Sequence, residues 1–115
     1  MHVLDIKTSK DGEIDVVNLG GALDTANVDV FNKTMQPLCE KGARIVVDCA
    51  GLTYVNSTCF ALFNKYSKMC SSAGGRMVFC RLPSKIMDII KLLGLDNTLA
   101  ISKTHEDALS DAQKG

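Results

Sequence analysis

The stretch from Arg44 to Cys49, Arg-Ile-Val-Val-Asp-Cys, constrains this chain more than any other. Ile45, Val46 and Val47 are consecutive β-branched residues, and a strand apolar at successive positions must be covered on both faces. A helical pattern succeeds it. From Cys59 the apolar positions fall at 59, 62, 63, 66, 69, 70 and 73, in steps of three and four. Gly74-Gly75 stops that stripe, and Asn64, Lys65, Lys68, Ser71 and Ser72 take its wet side.

The flanks extend the pattern. Two strands are predicted at the start, His2 to Lys7 and Ile14 to Leu19, with a turn at Lys10-Asp11-Gly12 and Gly20-Gly21 ending the second. A helix is predicted over Ala26 to Lys41, with Asp24, Thr25 and Asn27 competing to cap it and Gly42 stopping it. Phe31, Met35, Leu38 and Cys39 form its buried stripe, and Pro37 should bend it or cost it a hydrogen bond. Gly51, like Gly12, reads as a turn residue, and Met77 to Cys80 as a short strand. Pro83 and Ser84 open a third helix, with Ile86, Met87, Ile89, Ile90 and Leu93 inward and Gly94 beyond its end. Leu99 to Ile101 is a brief strand. Thr104 opens a last helix with Asp107 completing an imperfect capping box and Ala108, Leu109 and Ala112 on its apolar side. The order β-β-α-β-α-β-α-β-α implies an α/β fold: a mixed, largely parallel sheet of about five strands covered by about four helices.

Bulk properties exclude several functions. At 115 residues the chain is expected to form one domain, 1–115, burying roughly two-thirds of its unfolded surface. Thirteen basic residues balance thirteen acidic ones, with no basic run, which argues against a nucleic-acid partner. No apolar run approaches a membrane span and the N-terminus lacks a signal-peptide pattern, so direct membrane insertion is not expected and the reading is cytoplasmic. Cys39, Cys49, Cys59, Cys70 and Cys80 are odd in number, with neither zinc-ligand spacing nor a disulfide framework. Free, mostly buried thiols, no metal and no cofactor are the expectation.

Few residues then remain for chemistry. His2 and His105 lie near opposite ends without a recognisable partner and read as bland surface histidines. Gly20-Gly21 lacks a phosphate-loop context, and the acidic residues are scattered singly. Cys59 falls in a first helical turn, where the dipole favours a thiolate, but on the stripe that faces the sheet; buried and inert is the expectation. Phe60 sits at the edge of that stripe, either lapping the core margin or offering a partner an apolar contact. Asn56-Ser57-Thr58, at the strand-to-helix junction, contains three good helix caps, and spacing alone does not require more of it.

The stretch "IVVDCAGLTYVNSTCFALFNKYSK" resembles the central segment of STAS domains, the bacterial anti-sigma factor antagonists and their relatives. In that family an acidic-serine-serine-glycine motif comes after a buried strand ending in Asp and opens a long helix. "LGGALDTAN" resembles the family's loop after its second strand, and "LLGLDNTLAISKTHEDAL" its C-terminal helix-strand-helix, so the likeness spans nearly the whole chain. It implies a phosphorylation-controlled protein-binding switch in transcription regulation, with no catalysis of its own. The partners implied are an anti-sigma factor serine kinase, bound by the unphosphorylated form, and a serine phosphatase that resets the modified one. Carried across, the phosphoacceptor falls on Ser57, with Thr58 its competitor; Asn56 stands at the acidic position and Cys59 at the glycine. Asp24 matches the acidic residue of the preceding loop, expected beside the acceptor. The partner-binding surface would comprise Asp24, Thr25, Asn56, Ser57, Thr58, Phe60, Ala61 and Asn64. Because Asn56 and Cys59 depart from the motif, an unphosphorylated STAS binding module, a scaffold in a signalling or lipid-transport complex, is the alternative.

Overall fold

In a computed structural model, which describes residues 3–114, the chain alternates as its sequence predicts. Strands β1 (Leu4–Asp11) and β2 (Ile14–Leu23) are followed by helix α1 (Val28–Glu40), strand β3 (Arg44–Val55) and helix α2 (Ser57–Ser72). Strand β4 (Arg76–Cys80), helix α3 (Ser84–Leu92), a 3-10 turn at Leu95–Asn97, strand β5 (Ala100–Ser102) and helix α4 (His105–Ala112) complete it. The five strands form one mixed sheet in the order β1-β2-β3-β4-β5. Among the described residues only the β1–β2 hairpin, which turns at Gly12 with φ +61°, is antiparallel. His2, which opened the first predicted strand, lies outside the described residues.

The central run behaves as its composition demands. Ile45, Val47 and Cys49 face one core with Phe31 and Met35 of α1, Phe63 and Tyr66 of α2, and Ile86 and Ile90 of α3. Val46, the residue between, faces the opposite core with Val16, Val78 and the small Ala108 and Ala112 of α4. Each large apolar side chain among these contributes about 1.5–3 kcal/mol by leaving water. Aromatic rings stitch the larger core, Phe63 meeting Phe79 at 4.9 Å, Phe60 at 5.8 Å and Phe31 at 6.0 Å.

Strands β2 and β3 run further than predicted, and this extension builds the site. β4 pairs with β3 only from Arg44 to Asp48, whereas β2 and β3 stay paired to Leu23 and Val55. Gly20-Gly21 therefore does not end β2, and Gly51 is a strand residue rather than a turn. These glycines serve close approach instead: a Cβ on Gly21, at φ +77°, would collide with the Val3 carbonyl, and one on Gly51 would come within 3.3 Å of Gly20 Cα. Two register shifts between the strands give β3 its extra residues.

Other boundaries move for local reasons. α1 begins at Val28 because Asp24 and Asn27 lock the preceding loop: the Asp24 carboxylate accepts from the Ala26 and Asn27 amides, and the Asn27 carboxamide oxygen accepts from the Asp24 amide. Pro37 removes one donor, yet α1 continues to Glu40. On α3 only Ile86 and Ile90 are fully buried. Ile89 and Leu93, predicted inward, are 38% and 53% exposed, while Leu95 and Leu99, beyond the helix, pack against the core. Ala73, the last stripe position of the second helix, is likewise exposed, lying past the end of α2.

Candidate functional site

The extended β2–β3 pair delivers two loops to one edge. Leu23 is paired with Val55, and the Asn56 amide donates to the Leu23 carbonyl at 2.8 Å, so the Asp24–Asn27 loop lies against the head of α2. Burial raises the pKa of the neighbouring Cys59 thiol, a hydrogen bond with Thr58 opposes that rise, and the Asp24 charge adds to it. The fold thus brings Asp24 to the junction from 32 positions away in the chain, counting to Asn56 (56 less 24).

At the junction the three small polar residues divide their tasks. Asn56 is the N-cap of α2: its Oδ1 accepts from the Thr58 amide at 2.9 Å and from the Thr58 hydroxyl at 2.8 Å. Thr58 is therefore engaged. Ser57, the first residue of the helix, is exposed, and its hydroxyl makes no hydrogen bond within the described residues. It stands at the positive end of a 16-residue helix whose first turn carries no acidic side chain.

Other candidate contact residues separate. Thr25, Ser57, Thr58 and Ala61 are exposed, while Asp24, Asn56 and Asn64 are half-buried. Positions 57, 61 and 64 share a flank of α2 by helical spacing. Asn64 carries a peculiarity: its Oδ1 is enclosed and finds no hydrogen-bond donor. Phe60 does not belong to this surface. It is 1% exposed, edge-on to Phe63 in the main core, so the apolar contact offered as one of its two readings is corrected. Cys59 is buried as expected, and burial pushes its thiol up, away from reactivity.

A second polar cluster lies on the opposite face, at the carboxyl end of the short strands. Asp48, on the same face of β3 as Val46, is 2% exposed, and its carboxylate accepts from Arg81 Nε at 3.0–3.1 Å and from the Ala50 amide at 3.1 Å. Arg81 Nη2 lies 2.9 Å from Asp48 Oδ2, and His105 Nδ1 lies 2.7 Å from the same oxygen. Burial pushes the Asp48 carboxyl up, but the hydrogen bonds from Arg81, His105 and Ala50 more than offset it and hold the group below its ordinary value. His105 is therefore no bland surface histidine; it tethers the first turn of α4 to β3. Sequence separation hid this pairing. The available signal was Asp48 itself, a carboxylate inside an apolar run, which a fold must pair before burying.

Comparison with known proteins agrees with this architecture. The family model for the STAS domain matches residues 5–108. A curated relative, the anti-sigma-B factor antagonist of Bacillus subtilis, is 28% identical over 98 residues, covering 84% of this chain and 90% of its own. Among solved structures, an anti-sigma factor antagonist from Mycobacterium paratuberculosis superposes with a TM-score of 0.81 at 16% identity, over 97% of this chain and 96% of that one. The Bacillus cell fate determinant SpoIIAA in its phosphorylated form superposes at 0.70 with 18% identity, over 96% and 100%. Both likenesses are of fold. Among the described residues no helix is long and apolar enough to cross a membrane. The match of nearly the whole chain to the family model, on a fold of the same topology, means that the protein belongs to the STAS domain family.

Proposed function

We propose that this protein is an anti-sigma factor antagonist, a binding protein without a catalytic step of its own, switched by phosphorylation of Ser57. The observation that carries the switch is the division of labour at the head of α2: Asn56 caps, Thr58 is tied to Asn56, and the Ser57 hydroxyl is exposed and uncommitted. Its relatives support the reading: one is named for antagonising an anti-sigma factor, and SpoIIAA is known in both unphosphorylated and phosphorylated forms.

The physical logic is asymmetric. A phosphate at a helix N-terminus meets free amides and the positive dipole end, so the domain tolerates it. The same group adds about 1.5–2 negative charges to a formally neutral molecule. A partner docked over Thr25, Ser57, Thr58 and Ala61 must then desolvate or oppose that charge, which costs several kcal/mol by order of magnitude. The partners are an anti-sigma factor serine kinase, bound by the unmodified form, and a serine phosphatase that restores it.

Incubation with the kinase and ATP, followed by mass-spectrometric mapping, tests the assignment. Ser57→Ala abolishes labelling and Thr58→Ala leaves most of it. Phosphate on Ser9, Ser71 or Ser102 instead would overturn the acceptor, and no phosphate at all would leave a STAS module that binds without being switched.

A further inference from the structure

We propose that Asp48, Cys80 and His105 form a zinc-binding site on the α4 face of the sheet. Their ligand atoms, a carboxylate oxygen, a thiol sulfur and an imidazole nitrogen, lie within 4.8 Å of one another. Among the described residues no other group of three such side chains is so close. The residues come from β3, β4 and α4, and the register pairs Asp48 directly with Cys80. Thiolate, imidazole and carboxylate together favour zinc over the oxygen-seeking magnesium and calcium.

The geometry needs little change. Zinc bonds of roughly 2.0–2.3 Å set ligand–ligand separations of about 3.3–3.8 Å in a tetrahedron. The Asp48–His105 contact, at 2.7 Å, opens by a fraction of an ångström, and the sulfur moves inward. Coordination through Asp48 Oδ2 leaves Oδ1 with the Ala50 amide bond it already has at 3.1 Å. That bond orients the ligating carboxylate as outer partners do in metal sites. Arg81 is the competitor at Oδ2, where its Nε donates at 3.0 Å and its Nη2 lies at 2.9 Å, but that side chain is 52% exposed and has water to turn into. Arg81 also holds a left-handed backbone, φ +52°, immediately after Cys80, a conformation that costs a non-glycine residue energy and marks this corner as specially shaped.

Binding moves a proton at two of the ligands. The Cys80 thiol gives up its hydrogen to form the metal–sulfur bond. Asp48 accepts from Nδ1 in the free protein, so the imidazole binds with only its Nε2 proton kept, and a water would fill the fourth position. The site ties the first turn of α4 to two parallel strands, on the opposite face from the α2 helix that carries Ser57, and it does not depend on the phosphorylation reading.

The test uses the full chain stripped with a chelator, then titrated with zinc by calorimetry and with cobalt(II) by absorption. The expected result is about one equivalent of zinc bound and a cobalt spectrum carrying a thiolate charge-transfer band. Cys80→Ser removes that band, His105→Ala weakens zinc by at least about tenfold, and Cys39→Ala changes neither. Failure to bind zinc, or a thiolate band that survives Cys80→Ser, overturns the site. Should Cys80→Ser not fold, X-ray absorption on the zinc-loaded wild-type chain decides. One sulfur with nitrogen and oxygen neighbours supports the site, and a shell without sulfur, or with several, excludes it.

Discussion

Asn56 takes both donors of Thr58, the backbone amide and the hydroxyl, and so leaves its neighbour Ser57 unencumbered. Residues that look interchangeable as caps are therefore separable by mutation. Asn56→Ala removes the cap and should cost about 1 kcal/mol, whereas Asn56→Asp retains an acceptor at the same place and should cost much less. Ser57→Ala, which breaks no hydrogen bond, should change stability by under about 0.5 kcal/mol. Chemical denaturation of the three variants measures all of this, and a Ser57→Ala loss as large as that of Asn56→Ala would make Ser57 structural. The same scale shows where sequence reasoning stops. It found the polar trio, because small polar residues between a buried strand and an amphipathic helix are visible as composition. It did not find which of the three was the cap, because that depends on a side-chain torsion. It missed His105 altogether, since the partner carboxylate lies 57 positions away and only the fold brings them together.

At the scale of elements, α2 carries the sharpest correction. A helical wheel puts Phe60 at the margin of the stripe, and whether a margin is wet depends on how far neighbouring elements reach over it. Here the ring is enclosed with Phe63 in the main core. Phe60→Ala should therefore destabilise the protein by about 3–5 kcal/mol, and any loss of partner binding should track the unfolded fraction. Thermal unfolding and partner affinity on the same variant separate the cases; a stable protein with weakened binding would restore the surface role. Asn64, further along α2, makes the opposite case. Its enclosed Oδ1 lacks a donor, and such orphaned acceptors cost about 1–3 kcal/mol. Asn64→Leu should raise the denaturation midpoint, and an unchanged or lowered midpoint would mean that the amide is satisfied in solution. The elements themselves were readable from periodicity, including the doubly covered β3 core and the small-residue face of α4. Their ends were not. β2 and β3 pass through Gly20, Gly21 and Gly51 because paired backbones approach closely there, and a glycine chosen for close approach is indistinguishable in sequence from one chosen for a turn.

Across the whole molecule, the topology separates the edge proposed to switch from the sheet that holds the fold. The β2–β3 extension places the Asp24–Asn27 loop and the head of α2 together beyond the strand segments that pack α4, and Ser57 is exposed there, so charge added to it enters no core contact. Fold and binding should accordingly respond to phosphorylation in different ways. The most direct measurement is the affinity of an anti-sigma factor kinase, the proposed partner, for the unmodified protein and for Ser57-phosphorylated protein, with Ser57→Asp alongside and thermal unfolding recorded for each. Phosphorylation should weaken binding by at least about tenfold, or about 1.4 kcal/mol, while the unfolding temperature moves by no more than a few degrees. Equal affinity for the modified and unmodified proteins, or a phosphorylated protein that has lost its cooperative unfolding, would contradict a binding switch at Ser57.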